Sequence, residues 1–434
     1  MKNFLKKLIP NFLLSFYHFI LAFLGAIIYR FPSKNLILIG ITGTNGKTTT
    51  SEMITSIFEK AGYKIALLNS VRFKIGKKEE INELRMTMPG RFFIQRFLKR
   101  AVKEGCKYAI IEVTSEGIKQ HRHRFLDFKV AVFTNLAPEH IEAHGSFEKY
   151  REAKGKFFQA TKEIHILNGD DENFEYFLKF PAKEKFFFTL NKSRIPLFRK
   201  SGMVILAEDE KEDEKGISFK VKDTEFNLNL MGKFNIYNAL AAISVALSQG
   251  ISLKICKKAL EEFKGVPGRM EEVISKPFKV IVDYAFTPNA LEKVYQTLIN
   301  LEPRSHNLKP KLICVLGACG GGRDKWKRTV LGELAAKYCD EVIVTNEDPY
   351  DEDPWQIIEQ VASGTKGKAR KILDRREAIR EALKLAKKGD IVVITGKGCE
   401  PSIVIKGKKI PWDDRKVVRE EFKNLRLNDF TTND

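Results

Sequence analysis

Residues 43–49, Gly-Thr-Asn-Gly-Lys-Thr-Thr, stand between an apolar run, Leu36 to Ile41, and a helical pattern that begins at Lys47 and carries Met53, Ile54, Ile57 and Phe58. The run reads as a buried strand of a parallel sheet. Strand, glycine-bearing loop and helix N-terminus together offer bare amides and the positive end of a helix dipole, a setting that suits phosphate. Gly43 and Gly46 let the backbone come close. Lys47 can reach β- and γ-phosphates, and the Thr48 hydroxyl can hold Mg²⁺. The spacing is shorter than G-x-x-x-x-G-K-[ST], because Ile41 stands where the first glycine belongs.

Other segments carry groups suited to the same work. Ile-Glu-Val-Thr-Ser-Glu-Gly (111–117) puts Glu112 at a strand end, where a carboxylate can meet Mg²⁺ bound at the loop. Phe-Thr-Asn-Leu-Ala-Pro-Glu-His-Ile-Glu-Ala-His-Gly (133–145) contains His140, and Glu-Ala-Lys ends at Lys154. Asn235 and Asn238 are three residues apart, on one helix face. Gly-Arg-Met-Glu (268–271), Val-Asp-Tyr-Ala-Phe-Thr-Pro (282–288), the Gly-rich run 317–328 and Thr-Gly-Lys-Gly-Cys-Glu (395–400) follow.

These segments resemble the Mur ligases, which make peptidoglycan precursors, and among them the branch that adds the third amino acid to UDP-MurNAc-dipeptide. The likeness runs over about residues 36 to 425. Thr42 to Thr49 resembles the ATP loop, and Asn168-Gly-Asp-Asp171 the strand end N-A-D-D. Gln120-His121-Arg122 keeps the family spacing, and Asp374-Arg375 falls at its D-R position. The resemblance implies ATP held by Gly43, Thr44, Asn45, Gly46, Lys47, Thr48 and Thr49, with Asn235 and Asn238 at adenine. Arg269 and Asp283 would complete the nucleotide site. It implies two Mg²⁺ ions on Thr48, Glu112, His140 and a carbamylated Lys154. It gives Lys47, Lys154, His140 and Arg269 the catalytic roles. By the same resemblance Ser115, Arg122, Arg323, Arg328, Asp348, Tyr350, Gly396 and Glu400 would face the substrates. Three family histidines are replaced, by Glu116, Phe286 and Cys399, and Glu139 and Glu142 stand for aspartates.

The family box D-N-P-R, whose arginine meets the distal carboxylate of meso-diaminopimelate, corresponds here to Glu347-Asp348-Pro349-Tyr350. A cation is lost and an anion gained. With Asp351 and Glu352 alongside, the box is expected to repel a distal carboxylate and to favour lysine, ornithine or a small amino acid.

Alternating strand and helix patterns predict an α/β fold. Strands are expected at 64–69, 108–113, 130–134 and 164–168, and helices at 91–103, 147–162 and 235–249. Residues 199–231 predict a β-meander with an acidic turn at 208–215. Gly265-Val-Pro-Gly268 marks a boundary, and strands at 279–284, 311–316, 341–345 and 391–395 begin a second, Rossmann-like α/β series. The expected units are an apolar helix (1–34), a central P-loop-type ATP-binding domain (35–265) and a C-terminal domain (266–434).

The chain has 434 residues and a formal net charge of +20. Its Lys and Arg are scattered, often beside Glu, and form no basic stripe with interleaved aromatics, so no nucleic-acid partner is expected. Six cysteines without Cys-x-x-Cys spacing argue against a disulfide framework or zinc ribbon and fit reduced, cytosolic thiols. Residues 12–29 are almost wholly apolar, with Lys6 and Lys7 before them and Arg30 and Lys34 after. Eighteen residues is near the lower limit for a membrane span, so spanning, lying in the interface and packing on the protein's own surface all stay open. No cleavage site follows. The chain is expected in the cytoplasm, at the inner membrane face if residues 1–32 anchor it.

The function expected is ATP-dependent amide ligation through an acyl phosphate, joining an amino acid to a cell-wall precursor. The segment 1–34 stands where relatives carry a UDP-gripping domain. A lipid-linked or folate-like carboxylate is therefore an alternative acceptor, and a membrane-tethered ATP-binding scaffold is the alternative outside enzymes.

Overall fold

The computed structural model describes residues 10–301 and 310–431. Lys6 and Lys7 lie outside them. A nine-stranded sheet is built from β1 (Ile37–Thr42), β2 (Ile65–Leu68), β3 (Arg72–Ile75), β4 (Lys78–Ile81), β5 (Tyr108–Glu112), β6 (Phe128–Phe133), β7 (Ile164–Asn168), β8 (Glu184–Thr189) and β9 (Met203–Leu206). Its order is β4-β3-β2-β5-β1-β6-β7-β8-β9. The chain leaves β1 for one side, returns to β5 beside it, then crosses to β6 on the other. Strand order reverses about β1, the place where open α/β sheets bind ligands.

β1 is buried on both faces, which is why it reads as a continuous apolar run. Ile39 and Ile41 point into a core shared with the helices Lys47–Lys60 and Phe234–Ser248. Leu38 points into the opposite core, covered by the helices Arg91–Lys103 and Phe147–Ala160. On that face Gly40 leaves room for the Phe128 and Phe157 rings, which a Cβ there would overlap.

β10 (Glu208–Asp213), β11 (Gly216–Val221) and β12 (Thr224–Leu228) form the meander. The acidic run expected as a turn is for the most part strand β10, paired with β11 alone. Its charges suit an edge, where they discourage pairing with another chain.

β13 (Glu271–Ile274), β14 (Lys279–Val282), β15 (Leu312–Leu316), β16 (Glu341–Thr345), β17 (Ala369–Ile372) and β18 (Ile391–Ile394) form a second sheet in the order β13-β14-β18-β15-β16-β17. Only β13 pairs antiparallel; the rest are parallel. Alternate residues of β14 feed two cores: Ile281 enters one, Val280 and Val282 the other. A hairpin of β19 (Ser402–Ile405) and β20 (Lys408–Pro411) follows. Cys314 in β15 and Cys339 just ahead of β16 form a disulfide. This pair overturns the reading of all six cysteines as reduced thiols; spacing gave no hint of it, because one cysteine lies in a strand and the other at the end of the helix that leads into the neighbouring strand.

The apolar N-terminal segment is a helix, Asn11–Ile28. Among the described residues no helix is long and apolar enough to cross a membrane, which removes the spanning alternative. The helix packs on the protein: Ala22 and Ala26 are buried, and Ser15 Oγ lies 2.8 Å from His121 Nε2.

Candidate active site

Thr44 to Gly46 leave β1 as the loop that ends in the helix Lys47–Lys60. Gly43 and Gly46 both have positive φ, +152° and +82°. A Cβ at Gly43 would overlap the Thr134 hydroxyl, and one at Gly46 the Asn238 amide. The loop is held from the side by the strand end after β6. Asn45 N–H donates to Asn135 Oδ1 at 3.0 Å, and Thr134 Oγ1 donates to Asn45 O at 2.7 Å. Thr44 Oγ1 meets the Tyr150 hydroxyl at 3.0 Å.

Two lysines converge on this loop. Lys47 Nζ donates to Gly43 O at 3.0 Å and Thr44 O at 2.8 Å. Lys154 Nζ donates to Gly43 O at 2.9 Å and Thr42 Oγ1 at 3.3 Å. The Lys154 side chain is 2 % exposed. Burial, reinforced by neighbouring Lys47, holds its pKa well below the usual lysine value. Burial also lowers the Lys47 pKa.

Glu112 ends β5 fully buried, its two oxygens accepting from Ser70 N–H and Ser70 Oγ, each at 3.1 Å. His140 sits at φ 57°, and burial with Arg323, Lys154, Lys327 and Lys47 nearby pushes its pKa down to about 2. The ring is therefore neutral and able to ligate a metal. Among the described residues no group of three or more His, Cys, Asp or Glu could hold a metal by itself. One carboxylate, one hydroxyl (Thr48) and one imidazole fit an ion that takes its remaining ligands from nucleotide phosphates, as Mg²⁺ commonly does.

One cavity of about 500 Å³ brings these groups together with the rest. Its lining includes Asn235, Asn238, Asp170 and Tyr237. Asn238 Nδ2 donates to Asn235 Oδ1 at 2.9 Å, so the two amides are fixed as a pair. The lining also includes Ser115, Arg122, Arg85 and Arg323. The second sheet supplies Arg269 and Asp283 to the same cavity. Asp283 accepts from Met270 N–H at 2.8 Å and Ala285 N–H at 2.6 Å, which fixes the turn carrying Arg269; the Arg269 guanidinium lies over the Tyr284 ring at 4.0 Å. Burial raises the Asp283 pKa.

The two sheets are tied across the cavity at two places. Lys327 Nζ donates to Glu139 Oε1 at 2.8 Å, with both side chains buried. Asp324 accepts from Ile141 N–H and Glu142 N–H, and Glu142 accepts from Lys325 N–H at 2.7 Å. The longer arms of Glu139 and Glu142 are thus used to reach the second sheet. The other tie is Arg85, which ion-pairs with Asp348 and, at 2.7 Å, with Glu400. Tyr284 OH donates to Glu400 at 2.8 Å.

Several sequence-predicted residues fall outside the main cavity. Arg328 is 1 % exposed and donates to Gln360, Cys319 O and Glu352, bracing the Gly-rich loop. Tyr350 lies against Gly321 and donates its N–H to Val404 O. Gly396 packs on the Glu347 carboxylate. Asp348 is 1 % exposed and also accepts from Lys397 Nζ at 2.9 Å and Val404 N–H at 2.8 Å. It is not a free anion, and Glu352 is engaged by Arg328. The expected repulsion of a distal carboxylate loses its basis, because Arg85 returns a cation that local spacing could not show. Arg375, at the family's D-R position, is buried on Asp414. Arg85, Tyr150, Asn135 and Lys327 are the residues that sequence reasoning missed. Asn135 and Lys327 lay inside quoted motifs; Arg85 carried no signal.

Comparison with known proteins matches residues 41–246 to the Mur ligase middle domain and residues 268–398 to the Mur ligase, glutamate ligase domain. The chain is 40% identical over 417 residues to a UDP-N-acetylmuramoyl-L-alanyl-D-glutamate--2,6-diaminopimelate ligase of Syntrophomonas wolfei, covering 92% of this chain and 81% of that one. It is 35% identical to a UDP-N-acetylmuramyl-tripeptide synthetase of Roseiflexus, with 93% and 82% covered. A solved UDP-N-acetylmuramoyl-L-alanyl-D-glutamate--2,6-diaminopimelate ligase superposes with a TM-score of 0.59 at 30% identity, over 90% of this chain and 79% of that one. With matching domains in order and such relatives along nearly its whole length, this chain belongs to the Mur ligase family of ATP-dependent, amide-forming ligases.

Proposed function

We propose that the chain joins 2,6-diaminopimelate to the D-glutamate carboxylate of a UDP-MurNAc-dipeptide in the cytoplasm. The observation that carries this is the cavity. One space is lined by the Asn235–Asn238 amide pair, the phosphate loop and the cations Arg122, Arg323 and Arg85. In this reading it takes nucleotide, acyl carboxylate and amine together. The units we assign are the helix 1–34, an ATP-binding domain 35–265 and a C-terminal domain 266–434.

In this reading the loop amides and Lys47 cradle the β- and γ-phosphates, and Asn235 and Asn238 hold adenine. The acyl carboxylate attacks the γ-phosphorus, giving an acyl phosphate and ADP. The amine then attacks the acyl carbon, and the tetrahedral adduct collapses with loss of phosphate. Lys47, Arg269 and Arg323 offset the anionic charge as it moves, inside a cleft that closure shields from water. Thr48, Glu112 and His140 would hold Mg²⁺, which would supply charge neutralisation at the phosphates. Lys154 would carry a carbamate: the unprotonated amine is the form that adds CO₂, burial makes that form easier to reach, and the product anion suits a second ion. Ser115, Arg122 and Glu400 would position the substrates.

The test is phosphate release with UDP-MurNAc-L-Ala-D-Glu and diaminopimelate supplied singly and together. Release that needs both, with a ligated product by mass spectrometry, is expected. Release indifferent to both substrates would point to the scaffold reading, and release with a lipid-linked or folate acceptor only would replace the proposed acyl substrate.

A further inference from the structure

The helix Asn11–Ile28 is turned the wrong way round for water. Ser15, His18, Ala22, Gly25 and Ala26 lie on the side that faces the protein, where Ala22 and Ala26 are buried and Gly25 abuts Phe92 and Gln95. The outward side carries Phe12, Phe16, Ile20, Leu24 and Ile27, all exposed, with Phe12 at 70 % and Phe16 at 62 %, while Phe19 and Phe23 at its edge also pack on Phe125. A helix covered only by water shows the reverse pattern, large apolar residues inward and polar ones outward. An unbroken apolar stripe of this kind marks a surface that meets something apolar.

What surrounds the stripe is basic. The neighbouring helix Arg91–Lys103 exposes Phe92, Arg96, Lys99 and Lys103, whose spacing places them on one face. Arg30 and Lys34 are exposed just beyond the apolar helix. Neither helix contains an acidic residue. Apolar side chains on one strip and cations beside it are the two signals that together hold a helix in an anionic lipid interface.

We infer that this face docks on an anionic membrane surface, the helix lying in the interface with its inner side still seated on the protein. The helix is joined through Ser15 to His121, next to Arg122 in the cavity lining. Docking therefore sets the Arg122 part of the cavity near the lipid headgroups, whichever acyl substrate enters it.

The full-length protein is to be sedimented with vesicles of phosphatidylcholine alone and with phosphatidylglycerol added, at low and high salt. Binding to the anionic vesicles is expected, weakening with salt. Phe16→Glu with Leu24→Glu should abolish it. Arg96→Glu with Lys99→Glu and Lys103→Glu should lower the partition coefficient by about a hundredfold or more. Both sets should leave ATP turnover in vesicle-free solution unchanged. If the apolar pair does not fold, the charge set alone decides. No binding to either vesicle, or binding that neither set changes, overturns the inference. So does a wild-type dimer that ignores vesicles and becomes monomeric with Phe16→Glu and Leu24→Glu, since the face would then belong to a second copy.

Discussion

Arg85 and Asp348 are 263 residues apart and form an ion pair across the cleft, one from the loop after β4, the other from the loop after β16. Both are nearly buried, and Glu400 and Lys397 complete a cluster of two cations and two anions. Such a pair exists only while the two sheets face each other closely. Arg85→Ala leaves Asp348 with Lys397 and the Val404 N–H, so the loss is smaller than for a wholly orphaned charge, about 1–3 kcal/mol. The variant should open: X-ray scattering should show a larger radius of gyration than wild type. Identical scattering profiles would deny the pair any part in closure.

The same cluster has a defined response to acid. Burial raises the Asp348 pKa, but Lys397 and Arg85 outweigh burial, and the net shift is downward. A carboxylate depressed in the folded state contributes stability above its unfolded pKa, about 3.9, and loses it as pH falls through the lower folded value. The stability difference between wild type and Asp348→Asn should therefore be constant from pH 7 to 5 and shrink below about pH 4. A difference that vanishes already at pH 6 would mean another group governs the clamp.

Lys47→Ala should remove ATP turnover and keep the fold, because Lys47 bonds only to loop carbonyls and fills no core. A lost γ-phosphate cation typically costs several kcal/mol of transition-state stabilisation, roughly a hundredfold or more in rate. Near-normal turnover would take the phosphate loop out of the mechanism.

Lys154 should carry a carbamate at neutral pH with bicarbonate and Mg²⁺ present. Its amine is buried and its pKa lowered, first by burial and then by Lys47. A high-resolution density map of the protein under those conditions decides between carbamate and bare amine. Lys154→Arg, which cannot be carbamylated, should not recover activity when bicarbonate is added.

Much of this site could be read along the chain because its parts are local. The strand, the two glycines and Lys47 lie within a dozen residues, and apolar β1 announces itself because both its faces are covered. The parallel strands β5, β6 and β7 are legible for the same reason. β3 and β4 are not, since Arg72, Lys74, Lys78 and Glu79 give them a loop-like composition. The run 208–215 looked like a turn because an edge strand tolerates charge on both faces. The clamps Glu139–Lys327 and Arg85–Asp348 join distant segments, and no spacing within either segment encodes the partner.

The choice of amine follows from where the cation went. Tyr350 occupies the position at which relatives are expected to present arginine, and its ring lies on Gly321 rather than in the cavity. Arg85 lines the cavity instead, and its buried Nε has no hydrogen-bond partner. A distal carboxylate approaching there meets a guanidinium, so diaminopimelate should be incorporated at least as well as lysine. Arg85→Gln would leave Asp348 and Glu400 facing Lys397 alone, one negative charge in excess, which favours an ammonium. A charge-assisted hydrogen bond contributes about 1.5–3 kcal/mol, so the diaminopimelate-to-lysine ratio in a competition assay should fall by about tenfold or more. The ratio is read from one reaction containing both amines, so a general loss of activity cancels. A ratio unchanged by Arg85→Gln would show that another cation selects the amine. Preference of the wild type for lysine would return the choice to the acids of the 347–352 loop.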